Sequence, residues 1–131
     1  MLSNMDINYT DMLSRKLDNF IEKHYANNKS ALLLKGARQV GKTSAIRKYA
    51  RKQKMNLIEI NFYEDDSACG IFKGSQNAKD VLLRISAHTK KKTSLPNTMI
   101  FFDEVQKCPE VITWIKFLVD EGSCKYALSG S

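Results

Sequence analysis

Gly36, Gly41, Lys42 and Thr43 stand in the spacing G-x-x-x-x-G-K-[ST], written here as "GARQVGKT" over residues 36–43. The chemistry this pattern serves is the grip on a triphosphate. The glycines let the backbone curl so that its N–H groups converge on phosphate oxygens, and a helix beginning directly afterwards adds the positive end of its dipole. Lys42 places an ammonium on the β- and γ-phosphates, and the Thr43 hydroxyl can ligate Mg²⁺. The cradle so read runs from Gly36 through Ala37, Arg38, Gln39, Val40, Gly41, Lys42 and Thr43 to Ser44. The plainer reading is a glycine turn. It leaves unexplained why an apolar run precedes the loop and a helical pattern follows it, which is the context this motif requires.

A second constellation lies far downstream, where "MIFFDE" puts Asp103 and Glu104 after four apolar residues. An aspartate in that position, on a strand neighbouring the loop, can hold Mg²⁺, often through water, and a carboxylate one residue on can polarise a water for in-line attack on a γ-phosphate. An exposed Asp-Glu pair at a strand end is the alternative. Ser129 and Ser131, in the closing "SGS", fall where a last strand would end. A hydroxyl there could contact the γ-phosphate or the attacking water, although "SGS" alone is simply a turn.

These residues need elements to position them. Leu13, Leu17, Phe20, Ile21 and Tyr25 recur at helical spacing, predicting an amphipathic helix over residues 11–26 behind a Thr10 cap. "ALLLK" (31–35) is short and evenly apolar, as a strand buried on both faces of a parallel sheet would be. A helix is expected over about residues 42–53, a strand over 56–62, and an irregular acidic stretch after it. A helix over 78–89 carries Val81, Leu82 and Ile85 on one face, and a strand covers 99–104. The next helix is expected to begin with Pro109 at its first helical position, to end at Gly122, and to turn Val111, Ile112, Ile115, Leu118 and Val119 to the core. Residues 125–131 read as the last strand. Strands alternating with helices specify an α/β fold of three layers with a mainly parallel sheet, whose ligands sit beyond the C-terminal strand ends.

A chain of 131 residues, 43% hydrophobic and 27% charged, suits one domain with its own core. Residues 1–30 read as an N-terminal helix with its lead-in and 31–131 as the nucleotide-binding core. Cys69, Cys108 and Cys124 form neither a CxxC pair nor a cluster with the histidines, which argues against a disulfide framework or a zinc site and suits a reducing cytoplasm. The N-terminus lacks the basic-then-apolar order of a signal peptide, and no apolar run is long enough for a membrane span. The net charge of +7 is concentrated in "RKYARKQK" and "KKK". It admits a nucleic-acid partner, but solvated helix and loop surfaces are the preferred explanation.

Taken together, "GARQVGKT", "DEVQKCPE" and "LSGS" resemble the AAA+-type ATP-binding proteins of bacteria and archaea, over most of the chain. The resemblance implies a P-loop ATPase core with strand order 5-1-4-3-2, counting "ALLLK" as strand 1. It also implies Walker A at residues 36–43, Walker B at Asp103 and Glu104, and a first sensor near Ser129 to Ser131. Such chains normally continue into a fifth strand, a helical lid and a C-terminal effector domain, so this sequence reads as an N-terminal piece truncated before its last strand. Without that strand, "ALLLK" is expected at a sheet edge, an arrangement natural domains avoid.

The reading that follows is Mg²⁺-dependent ATP binding, with hydrolysis to ADP and phosphate in the full-length protein, acting as a switch for an attached domain. Lys42 and Glu104 are the candidate catalytic residues, Thr43 and Asp103 the candidate metal ligands. ATP is the default nucleotide because no guanine-specifying NKxD motif is present. A P-loop kinase acting on a small molecule is the first alternative, opposed by Glu104, since a water-polarising base wastes ATP. A nucleotide-gated DNA-binding module is the second, supported by charge alone. Arg38 could reach a phosphate, a neighbouring subunit of a homo-oligomer, or only solvent. Gln39 and Gln106 belong to the family pattern without an assigned role.

Overall fold

The computed structural model describes residues 2–7, 14–36 and 41–130. Along the chain these form β1 (Leu2–Ile7), α1 (Ser14–Asn27), β2 (Ala31–Gly36), α2 (Lys42–Lys52) and β3 (Asn56–Asn61). A 3-10 helix (Ala68–Phe72), α3 (Ala78–Thr89), β4 (Thr98–Asp103), a 3-10 turn (Val105–Lys107), α4 (Glu110–Glu121) and β5 (Cys124–Gly130) follow. The strands make one 5-stranded sheet in the order β1-β2-β5-β4-β3, every pair parallel.

The apolar strands split their side chains between two helical layers, as the two-residue period of a strand dictates. Leu32 and Leu34 of β2, Met99 and Phe101 of β4 and Ala127 of β5 pack with Leu17, Ile21, Ile46 and Tyr49 of α1 and α2. Leu33, Ile100, Phe102, Tyr126 and Leu128 face the other way, onto Val81 and Ile85 of α3 and Val111, Ile115 and Leu118 of α4. Evenly apolar strands are therefore buried on both faces, giving the three-layer α/β fold of P-loop NTPases. At about 25 cal/mol per Å² of apolar area, each fully buried Leu, Ile or Phe of these layers contributes roughly 1.5–3 kcal/mol before entropy is counted.

Several expectations need correction. β1 lies in a stretch read only as lead-in to a helix, and it pairs with β2 from Leu2↔Ala31 to Ile7↔Gly36. β2 is thus an interior strand between β1 and β5, not the edge strand expected above. The strands read as 1-4-3-2 do hold that order, as β2-β5-β4-β3, and β1 takes the flank assigned to a later strand. α4 begins at Glu110, with Pro109 as its N-cap, and ends at Gly122 in the left-handed conformation (φ 87°). Ile112 is 46% exposed and does not join the core, whereas Val111, Ile115 and Leu118 do. Cys69 and Cys108 form a disulfide with Cα atoms 5.7 Å apart, against the expectation of unpaired thiols; Cys124 is free. The proposed Thr10 cap and Leu13 lie outside the described residues.

Candidate functional site

β2, β5 and β4 are neighbours, and their C-terminal ends bring Gly36, Gly130 and Asp103 to one rim of the sheet. From β2 the chain crosses the loop and enters α2 through Gly41, whose φ of 81° and ψ of 19° lie in the left-handed region where a side chain costs energy. The first N–H groups of α2, those of Lys42, Thr43 and Ser44 among them, have no acceptor within the helix and open toward the rim. Ala37, Arg38, Gln39 and Val40, and Ser131 at the far end, lie outside the described residues.

Lys42 is only 4% exposed. Its Nζ donates to the carbonyl oxygens of Gly36 and Gly130, both at 2.7 Å, so one ammonium bridges the ends of two adjacent strands. Burial pushes the Lys42 ammonium below its ordinary value, with Asp103 and then Glu104 opposing the shift through their negative charge. A cation held on neutral carbonyls at the start of a helix is well placed to exchange them for anionic oxygens, which make the stronger charge-assisted bonds.

Asp103 is the hub of the second half of the site. Its Oδ2 accepts from Thr43 Oγ1 at 3.0 Å, and its Oδ1 accepts from Ser129 Oγ at 2.8 Å and from the Glu104 N–H at 2.9 Å. Residues from β4, β5 and α2, distant in sequence, thereby meet on one carboxylate. Ser129 is nearly fully buried, and its hydroxyl is committed to orienting Asp103.

Glu104 leaves the strand. Its φ of 57° and ψ of 48° place it in the left-handed region, a conformation that costs a non-glycine residue on the order of 1–3 kcal/mol and persists only where its surroundings enforce it. The turn that follows supplies the enforcement: the Lys107 N–H donates to the Glu104 carbonyl at 3.0 Å and the Cys108 N–H to that of Val105 at 2.9 Å. The kink swings the Glu104 carboxyl out of the alternation of β4 and into a buried position, 7% exposed, where Gln106 Nε2 donates to its Oε1 at 2.7 Å. Cys108, which closes the turn, is tied through the disulfide to the 3-10 helix that follows β3.

Beside Thr43 and Asp103 opens a cleft of about 500 Å³, lined also by Asn61, the cross-strand partner of Asp103, and by Asp65, His88 and Lys91. Arg47 and Glu59, also on the cleft, form a two-pronged ion pair with both N···O distances 2.8 Å. Lys48 pairs with Asp18 and Lys52 with Glu22, so much of the basic run on α2 is balanced by α1 and β3. Gly130 and Gln106 are the site residues to which sequence reasoning gave no role. Only the pairing of β5 beside β4 and β2 reveals that Gly130 receives Lys42 and lies against Gln106.

A family model described as an AAA domain matches residues 28–131. The chain belongs to the AAA domain family. Both halves of the candidate site fall inside the matched stretch, whereas β1 and α1 precede it. No curated protein matches the chain. An AAA domain of this fold is a nucleotide-binding and hydrolysing unit in general terms. No helix among the described residues is long and apolar enough to cross a membrane.

Proposed function

We propose that this AAA domain binds ATP with Mg²⁺ at the rim formed by β2, β5 and β4, and that the full-length protein hydrolyses it to ADP and phosphate to switch an attached domain. The observation that carries the reading is the Thr43–Asp103 hydrogen bond, which joins the phosphate loop to the acidic pair at 3.0 Å. The donor set fits the ion, since a hydroxyl and a carboxylate are the hard oxygen ligands Mg²⁺ prefers. Thr43 and Asp103 would hold it, and when bound it would neutralise charge on the β- and γ-phosphate oxygens. The N–H groups at the start of α2 receive phosphate oxygens, and Lys42 Nζ trades a carbonyl for the γ-phosphate. Ser129 keeps Asp103 in orientation, which refines its expected role as a phosphate sensor. The Glu104 carboxylate accepts the proton of the attacking water. The cation that transition-state charge demands beyond Lys42 would come from an arginine of the helical lid in the full-length protein or of a second subunit in a homo-oligomer.

The test is Glu104→Gln, which preserves shape and removes the base. ATP affinity should stay within about threefold while phosphate release falls at least about a hundredfold, the range expected for a general base. Undiminished release in that variant contradicts the assignment. Phosphate release by the unaltered protein without any acceptor separates this reading from a kinase.

A further inference from the structure

Gln106 sits between two features of the rim. Its Nε2 donates to Glu104 Oε1 at 2.7 Å. Its Oε1 lies where the side chain of residue 130 would be: a Cβ on Gly130 would come within 2.8 Å of it and within 3.4 Å of Val105 Cγ2. The backbone at Gly130 is not in the left-handed region, unlike that at Gly36 and Gly41, so its conformation does not demand glycine. Space demands it.

We propose that Gln106 is a positioning residue for Glu104, and that the bare Cα of Gly130 is what lets its amide reach the carboxylate. The proposal rests on reading Glu104 as the base for the attacking water. A glutamate side chain has several staggered rotamers open to it, and Glu104 hangs from a left-handed backbone at a kink. A hydrogen bond from a donor in the same short turn selects among those rotamers before nucleotide arrives. Gly130 O also accepts from Lys42, so the end of β5 touches both Lys42, which would handle the γ-phosphate, and Gln106, which holds the carboxylate that would handle the water.

Two variants test this by different routes. Gln106→Ala removes the donor. Gly130→Ala leaves the donor in the chain but pushes it aside, and because the atom it meets is the end of a flexible, exposed side chain, the fold is expected to survive. Both should lower kcat for ATP hydrolysis about ten- to a hundredfold, the cost of a misplaced catalytic group, with KM and the Kd for a non-hydrolysable ATP analogue within about twofold of the unaltered protein. In a Glu104→Gln background neither should lower the residual rate further. The side-chain amide NMR signal of Gln106 should shift in Gly130→Ala and in Glu104→Ala. An unaltered kcat in Gln106→Ala, an equal further loss in the Glu104→Gln background, or a Gln106 signal indifferent to Gly130→Ala each overturns the proposal while leaving the ATPase reading in place. A full-length protein that binds ATP and releases no phosphate removes the role of Glu104, and the proposal with it.

Discussion

Reducing the Cys69–Cys108 disulfide should lower the melting temperature by an amount that the chain separation sets. The bond closes a loop with a sequence separation of 39. In the chain-entropy treatment, that loop removes about 13 cal/mol/K from the unfolded ensemble, or about 4 kcal/mol at 25 °C. The unfolding entropy of a chain of 131 residues is about 0.28 kcal/mol/K at roughly 2.1 cal/mol/K per residue, so the melting temperature should fall by about 14 °C. Reduction is a cleaner perturbation than substitution, because Cys108 is fully buried and its thiol would keep filling the same space. Calorimetric melts with and without a dithiol reductant measure the shift. Alkylation under denaturing conditions counts thiols, with one, Cys124, expected before reduction and all three after it. A fall below about 3 °C with the bond verifiably broken would refute the entropic argument, and three free thiols before reduction would remove the bond itself.

Two further outcomes follow from burial. Lys42 has a folded-state value below 10.5, so the charged form is disfavoured by the fold and stability is gained as pH rises from that depressed value toward 10.5. Phosphate favours the ammonium, so ATP binding in that window should take up a proton and weaken as pH rises, which calorimetric titration in buffers of different ionisation enthalpy would detect; proton release would contradict it. On α4, Ile115 is 2% exposed and Ile112 is 46% exposed. Ile115→Ala should therefore cost about 2–5 kcal/mol in denaturant melts and Ile112→Ala well under about 1.5 kcal/mol, and equal losses would place both in the core.

Much of the site was legible because its residues announce themselves locally. Gly41, Lys42 and Thr43 follow an apolar strand within a few residues, and Asp103 ends another, so spacing alone locates both halves. The strands β2 and β4 were equally plain, since burial on both faces demands continuous apolar runs, and β5 carries a shorter one in Tyr126, Ala127 and Leu128. β1 was not, because "LSNMDI" is half polar and draws its pairing from β2, a partner no local window contains. Ile112 misled because a helical face read from periodicity is wider than the stripe that α4 buries: Val111, Ile115 and Leu118 cover it. The disulfide joins cysteines on separate loops, and the contact of Gln106 with Gly130 crosses from the turn after β4 to the end of β5. Both depend on strand order, which no spacing encodes. The left-handed kink at Glu104 was also hidden, since a glutamate gives no hint of positive φ.

The central claim is that Lys42 and the loop around it hold a nucleoside triphosphate. Calorimetric titration of MgATP into the unaltered chain and into Lys42→Ala tests it most directly, without requiring turnover. Saturable one-to-one binding by the unaltered chain, weakened at least about a hundredfold in the variant, a difference of about 2.8 kcal/mol, is the predicted result. Equal affinity in the two proteins, or no binding by the unaltered chain, would contradict the account.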